Sequence, residues 1–491
     1  MSFGWFRQDT QAVLEALSRG ERPFMATTMG SGPLDELVAL HNELGVFDAL
    51  DQLPVVRQRA GIADPLLFRT LATLPFLRES ALDPAARLLF QEPAILLQVG
   101  WAPVQIQAGD NDRHRHPEGR QVESLPCHPD TLRDAFRRVE ARAWEAVQKA
   151  TVGPLFQRQL VRGKVYAIDG SGLGKDLRLV CLVCVSAQRP IIVAWRLLEG
   201  DASEKGKEAA VTKELIEQAL ELGGPECIEL LLVDALYADG PLLAWLAYAK
   251  GIDVLTPLPS DRLMVGDLLG MAQQGMLDWT RHRYLRTIQG HKQMRTVEVA
   301  AAGDLTSWES FVEAARSYGV ENPSLWACLI REIAPEEQPL EKAMALVSTR
   351  RWANGYAALQ AFRPRWHIEN DGYRELKEGF GLEKQRWGRD AAAARCRTTL
   401  TILAFNTAQV YRSRGGSRLA KLGIRRLRQQ TQRQLGRSPA VVFMEDCYGV
   451  MSLEALLAAV GAGVRQGLLP TVRAAARETQ PTDAATIAQP P

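Results

Sequence analysis

Glu369 lies in the stretch "FRPRWHIENDGYRELKEGF", residues 362–380, among side chains that belong in a core. At about 100° per residue on a regular helix, Phe362, Trp366, Tyr373, Leu376 and Phe380 fall within roughly 60° of it, while Arg374, Glu375 and Glu378 point away. Arg365, one turn earlier, shares its side. One reading is a buried Arg365–Glu369 pair that fixes helix packing, since buried acids are mostly paired. The other is a metal ligand, which needs more carboxylates at the same point.

Two aspartates meet that need. Asp169 ends the β run "KVYAID" and Asp234 ends "CIELLLVD", each followed by small or turn-forming residues. An acid at a strand end is commonly a turn-former. However, the carboxyl ends of neighbouring strands in an α/β sheet open on one crevice, and a helix packed on that sheet with an inward acid adds a third carboxylate. Three such groups repel unless divalent cations neutralise them. All-oxygen donors suit Mg²⁺ or Mn²⁺. Two ions held about 4 Å apart activate a water or a 3′-hydroxyl and stabilise the leaving oxygen of an in-line phosphodiester displacement. Asp169 is the natural shared ligand, with Asp234 and Glu369 each holding one ion.

The elements that must position these acids follow from periodicity. Residues 1–160 carry apolar residues at helical spacing, as in "PLDELVALHNELGVFDALDQL" and "HPDTLRDAFRRVEARAWEAVQKA", and read as a strand-poor helical region interrupted by a polar loop around 107–126. From 161 to 261 the period changes: "KVYAID", "LRLVCLVCVSA" and "PIIVAWRLLEG" form a meander, followed by helix, strand, helix and strand. The order β-β-β-α-β-α-β is that of a ribonuclease-H-like fold. Residues 262–345 break the alternation and read as a β-rich insertion, in which "KAMALVST" leads back toward helix. Residues 346–410 return to the core with the Glu369 helix. Residues 411–491 read as a basic helical region ending in a disordered tail, "ETQPTDAATIAQPP".

"IDGS", "LLLVDALYADGPLLAWL" and "FRPRWHIENDGYRELK" together resemble the DDE transposases of bacterial insertion sequences, specifically the group with a β-rich insertion in a ribonuclease-H-like α/β core. The resemblance covers roughly residues 160–410. The family's signature runs Tyr, two residues, Arg, three residues, Glu, six residues, Lys; Arg365 and Glu369 fit it directly. Phe362 stands where the family has Tyr, removing a hydroxyl available to a phosphate. Lys377 falls one residue late, about 80° around a regular helix from Glu369, unless a one-residue bulge at Gly372 restores the register; otherwise its role toward phosphate passes to Lys384 or vanishes. The resemblance implies Mg²⁺- or Mn²⁺-dependent cleavage and strand transfer at terminal inverted repeats and target DNA. It further implies double-stranded DNA as partner, a homodimer in the DNA complex, and catalytic, metal-holding roles for Asp169, Asp234 and Glu369.

Charge placement bears on the DNA partner. The 59 basic and 57 acidic residues nearly cancel, but from Ala394 to Met444 there is no acid while Arg412, Arg414, Arg418, Lys421, Arg425, Arg426, Arg428, Arg433 and Arg437 accumulate. So one-sided a run reads as a phosphate-contacting surface, which sets affinity and salt dependence without reading sequence. The helical N-terminal region and the β-rich insertion are then the places from which bases could be read.

Other classes fit less well. The seven cysteines are scattered, and Cys181 and Cys184 sit in a strand-like run with no partner pair for zinc. The His114-Arg115-His116 triplet reads as a solvated loop rather than a chelate. With no long uninterrupted apolar run and no targeting pattern, a cytoplasmic protein without a membrane span is expected. A haloacid-dehalogenase-like phosphatase would want a second Asp two residues after Asp169, where Ser171 stands. A nuclease of the same fold without strand transfer shares the metal chemistry. A domesticated descendant that only binds DNA would have had no need to keep all three acids.

Overall fold

The computed structural model describes residues 7–23, 25–28, 33–55, 61–102, 105–106, 125–174, 176–203, 211–288, 291–384, 386–414, 421–434, 440–445 and 447–465. The His114–His116 triplet with most of its loop, Arg418, Arg437 and the tail from Glu478 lie outside these. The protein is α/β, with a large mixed sheet and many helices. It divides into two units, one of residues 148–378 and 409–421, the other of 1–147, 379–408 and 422–491.

The first of these units holds a nine-stranded sheet. Its strands are β1 (Val165–Gly172), β2 (Leu177–Cys184), β3 (Ile191–Glu199), β4 (Leu230–Leu232), β5 (Asp253–Leu258), β6 (Thr280–Ile288), β7 (His291–Leu305), β8 (Leu325–Ala334) and β9 (Met344–Ser348). Their order across the sheet is β3-β2-β1-β4-β5-β9-β8-β7-β6. β1, β2 and β3 form an antiparallel meander, whereas β1, β4 and β5 run parallel. A strand buried on both faces reads as a continuous apolar run, and β4 with most of β2 and β3 has that composition and is buried. Cys181 and Cys184 are buried within β2.

Two strand assignments differ from the sequence expectation. β1 does not stop at Asp169 but continues to Gly172, because the small residues of Gly170-Ser171-Gly172 pair with Arg178–Val180 instead of turning at once. "KAMALVST" leads to the helix Gly355–Phe362 by way of a strand: Met344–Ser348 is β9, paired antiparallel to β5 and β8. The inserted strands therefore lengthen the same sheet. The irregular stretch among them holds a helix, Glu309–Ser317, that buries Phe311, Val312 and Ala315.

The other unit is richer in strand than its sequence suggests. Arg7–Gln8 and Met25–Thr28 flank a hairpin of Ala440–Phe443 and Cys447–Met451, making a four-stranded sheet from the two ends of the chain. Val13 and Leu17, from the helix Thr10–Ser18, pack with Val442, Met444 and Met451 in its core. The C-terminal region is thus not simply a basic helix. Strands of two to five residues carry too little alternation to register as a period.

Candidate active site

Asp169 and Asp234 come together because of register. The parallel β1–β4 pairing ends at the rung Ala167↔Leu232. Each aspartate lies two residues past that rung, so the two are level on strands about 4.8 Å apart, where side chains two residues on share a face. Each is fixed through its own backbone neighbour: Asp169 Oδ1 accepts from the Gly170 N–H at 2.8 Å, and Asp234 Oδ1 from the Ala235 N–H at 2.8 Å.

Glu369 arrives on a helix that is not regular. The α-helix Gly355–Phe362 passes through a 3₁₀ turn at Arg363–Arg365 into π turns at Ile368–Tyr373 and Glu375–Gly379. A π turn closes i→i+5 and takes in one extra residue. The expected bulge at Gly372 is therefore present in the first π turn, and Lys377 meets β1, its Nζ donating to the Gly172 carbonyl at 2.6 Å. The same irregularity overturns part of the 100° projection. Trp366, expected on the apolar face, is 49% exposed. Glu375, expected to point away from Glu369, is paired with Arg412 and Gln409, which does not conflict with that expectation.

Tyr373 fastens this helix to the sheet, a role its place in the sequence does not announce. Its buried hydroxyl accepts from the Cys181 N–H at 3.1 Å and donates to the Asp169 carbonyl; Asp169 and Cys181 face one another across β1 and β2. One hydroxyl thus ties the Glu369 turn to the backbone of Asp169. Sequence alone offers only an aromatic at helical spacing, which reads as core.

Arg365 is buried between two of the acids. Its Nη1 lies 2.9 Å from Glu369 Oε1 and 4.0 Å from Asp169 Oδ2. The Asp169 carboxyl is pushed up to about 6, chiefly by burial. The Gly170 N–H and Arg365 oppose that rise, and Glu369 and Asp234 add to it. The donor set is all oxygen, as Mg²⁺ or Mn²⁺ prefers, and Asp234 and Glu369 are close enough to Asp169 to act on its charge. Among the described residues no group of three His, Cys, Asp or Glu side chains stands at metal-holding distance.

The cations expected to meet DNA divide sharply. Arg412 is buried, with Nη1 at 2.9 Å from both oxygens of Glu375 and from Gln409 Oε1. Arg428 is buried and donates to the carbonyls of Gly379 and Leu77. Burial and these partners take both out of the phosphate-contacting set, because a charge run read along the sequence does not reveal which face of each helix is covered. Lys384, Arg414, Lys421, Arg425 and Arg426 are exposed.

A second basic stretch is less evident in sequence. From Thr280 to Val297 there is no acid, against Arg281, Arg283, Arg286, Lys292 and Arg295. It forms the β6–β7 hairpin at the edge of the sheet. Arg281 and Arg295 pair with Glu298 and Glu332; Arg283, Arg286 and Lys292 are exposed. The hairpin reaches the motif helix through His282 stacked on Tyr356 at 4.1 Å and Arg363 over the Tyr284 ring at 3.9 Å.

Among the described residues no helix is long and apolar enough to cross a membrane. Comparison with protein-family models and with curated proteins gave no match, so the reading of this site rests on its own geometry and on the residues of its three motifs.

Proposed function

We propose that this chain is a DNA-cleaving and strand-joining enzyme of the DDE transposase type, built on a ribonuclease-H-like core. The observation that carries the reading is the level placement of Asp169 and Asp234 past the last β1–β4 rung, with Glu369 near enough to raise the Asp169 carboxyl. The strand order third-second-first-fourth-fifth, with only the first, fourth and fifth parallel, supports the core assignment. Asp169, Asp234 and Glu369 would hold Mg²⁺ or Mn²⁺. Bound there, two such ions supply activation of a water or 3′-hydroxyl and stabilisation of the leaving oxygen.

The chain's own groups do the positioning. Tyr373 fixes the distance between the Glu369 turn and Asp169, and Lys377 places a cation beside the end of β1. The β6–β7 hairpin offers exposed arginines and a lysine to a DNA backbone, with Arg414 and Lys421 of the same unit as further partners for phosphate; Lys384, Arg425 and Arg426 are separate candidates on the other unit.

The test is incubation of the protein with Mg²⁺ and duplexes carrying the DNA that flanks its coding region, followed by sizing of the products. Cleavage at the element ends with joining to a second duplex supports transposition. Cleavage without joining reduces the reading to a nuclease, and binding without cleavage to a DNA-binding descendant. Asp169→Ala, Asp234→Ala and Glu369→Ala should each abolish cleavage while DNA binding survives.

A further inference from the structure

Arg365 does not stand as the buried Arg412 and Arg428 do. Arg412 engages both oxygens of one carboxylate and a glutamine, and Arg428 donates to two backbone carbonyls. Both are committed to their partners. Arg365 is as deeply buried, yet it reaches one oxygen of Glu369 at 2.9 Å and stops at 4.0 Å from Asp169. Its contact with Glu369 is an ion pair without hydrogen-bond geometry: Arg365 Nη1 has no hydrogen-bond partner among the described residues, whereas Arg412 Nη1 and Arg428 Nη1 do, and the Nε of all three lacks one.

Its position coincides with the demands of a cation site. An Mg²⁺-sized ion sits about 2.1 Å from its carboxylate oxygens. To hold Asp169 and Glu369 together it must lie between their oxygens, where Arg365 Nη1 now lies. Two positive charges in one carboxylate crevice repel, and at such separations the repulsion outside bulk water is large. Arg365 also has somewhere to go. Its guanidinium lies 5.5 Å from the Phe362 ring and 5.3 Å from the Trp366 ring, and Trp366 reaches solvent. Sliding along that aromatic face keeps a cation–π interaction while the charge regains water.

We propose that Arg365 is an exchangeable counter-cation: it holds Asp169 and Glu369 together in place of a divalent ion and withdraws toward Trp366 when one binds. The idea rests on the reading of these carboxylates as a metal site. It makes Arg365 a positioning residue with two stations. The inner one preserves the carboxylate geometry without metal, and the outer one presents a guanidinium beside the crevice, where a DNA phosphate can take it. Because only chains with Arg365 withdrawn bind the ion, the apparent affinity is reduced by the fraction that are.

The test is Mn²⁺ binding by the full chain, followed by electron paramagnetic resonance of the free ion, with thermal melting in EDTA alongside. Arg365→Gln should bind Mn²⁺ about tenfold more tightly than wild type, as follows if roughly one chain in ten has the arginine withdrawn. It should also melt lower in EDTA, because the acids lose their counter-ion. Equal or weaker Mn²⁺ affinity, or unchanged melting in EDTA, overturns the proposal. Arg365→Lys, which keeps the charge on a shorter stem, covers a glutamine variant that does not fold and should show intermediate tightening. Glu369→Gln separates the metal site from the exchange. If wild type binds Mn²⁺, Glu369→Gln does not, and Arg365→Gln is unchanged, the exchange alone is wrong. If wild type and all variants fail to bind Mn²⁺, the metal site falls and the exchange with it.

Discussion

Tyr373 and Asp169 show how single groups govern the site. The Tyr373 hydroxyl bonds the buried Cys181 N–H and the carbonyls of Asp169 and Leu179, so Tyr373→Phe removes the bonds that join the Glu369 turn to β1 and β2 while those backbone groups keep their places in the ladder. Such a loss costs about 0.5–1.5 kcal/mol, readable in a denaturant titration. Because the same bonds set Glu369 against Asp169, cleavage should fall by more than the lost stability accounts for. Asp169 gives a pH signature. Its carboxyl is raised from 3.8 to about 6 in the folded chain, so the native state binds this proton more tightly than the unfolded state does. Stability from this group is full below pH 4 and is lost as pH rises through 6, by up to about 3 kcal/mol. Measured in EDTA, the melting temperature of wild type should therefore drop relative to that of Asp169→Asn as pH rises across that window. A difference between the two that does not change with pH would show that Asp169 is not held this way.

At the scale of elements, the helix from Gly355 to Gly379 is legible in sequence as a helix bearing an inward acid. Its π turns are not, because i→i+5 bonding leaves no period in the sequence beyond a lysine one place late. The first π turn behaves as an absorbed insertion. Deleting Asn370, which is exposed, should collapse it to an α turn and bring the lysine to six-residue spacing. The variant should fold, with cleavage within about tenfold of wild type if one extra residue is all the π turn holds; loss of the cooperative melt would show otherwise. The β6–β7 hairpin carries its own prediction. Neutralising Arg283, Arg286 and Lys292 should weaken binding to cognate and scrambled duplexes alike and lower the log–log salt slope by nearly one for each phosphate no longer neutralised. An unchanged slope would leave the hairpin a solvated edge. Its charge is present in the sequence, but among flanking acids and a near-neutral total it does not stand out until the strands pair.

Over the whole molecule, the three acids and the parallel core are readable because apolar runs leading into an aspartate carry both period and chemistry. The four-stranded sheet is not, since Arg7–Gln8 and Met25–Thr28 find their partners at Ala440–Met451 and no local pattern announces a pairing across that distance. A chain ending before Ala440 lacks the two central strands and the packing of Val442, Met444 and Met451. At about 1.5–3 kcal/mol for each large apolar side chain buried, limited proteolysis should cut within residues 7–28 of that truncation and spare the same bonds in the full chain. Equal resistance would mean that the N-terminal strands hold without their partners.

That closure has a consequence in time. Residues 7–28 leave the ribosome long before the strands they pair with, which lie at Ala440–Met451. At about 5–20 residues per second, the N-terminal strands wait on the order of half a minute, their edges open, while the rest of the chain is synthesised. A message broken before the codon for Ala440 yields a polypeptide that never closes this sheet. Translation through Met451 is thus a condition of closing this sheet, and until then its N-terminal strands stay open to proteases.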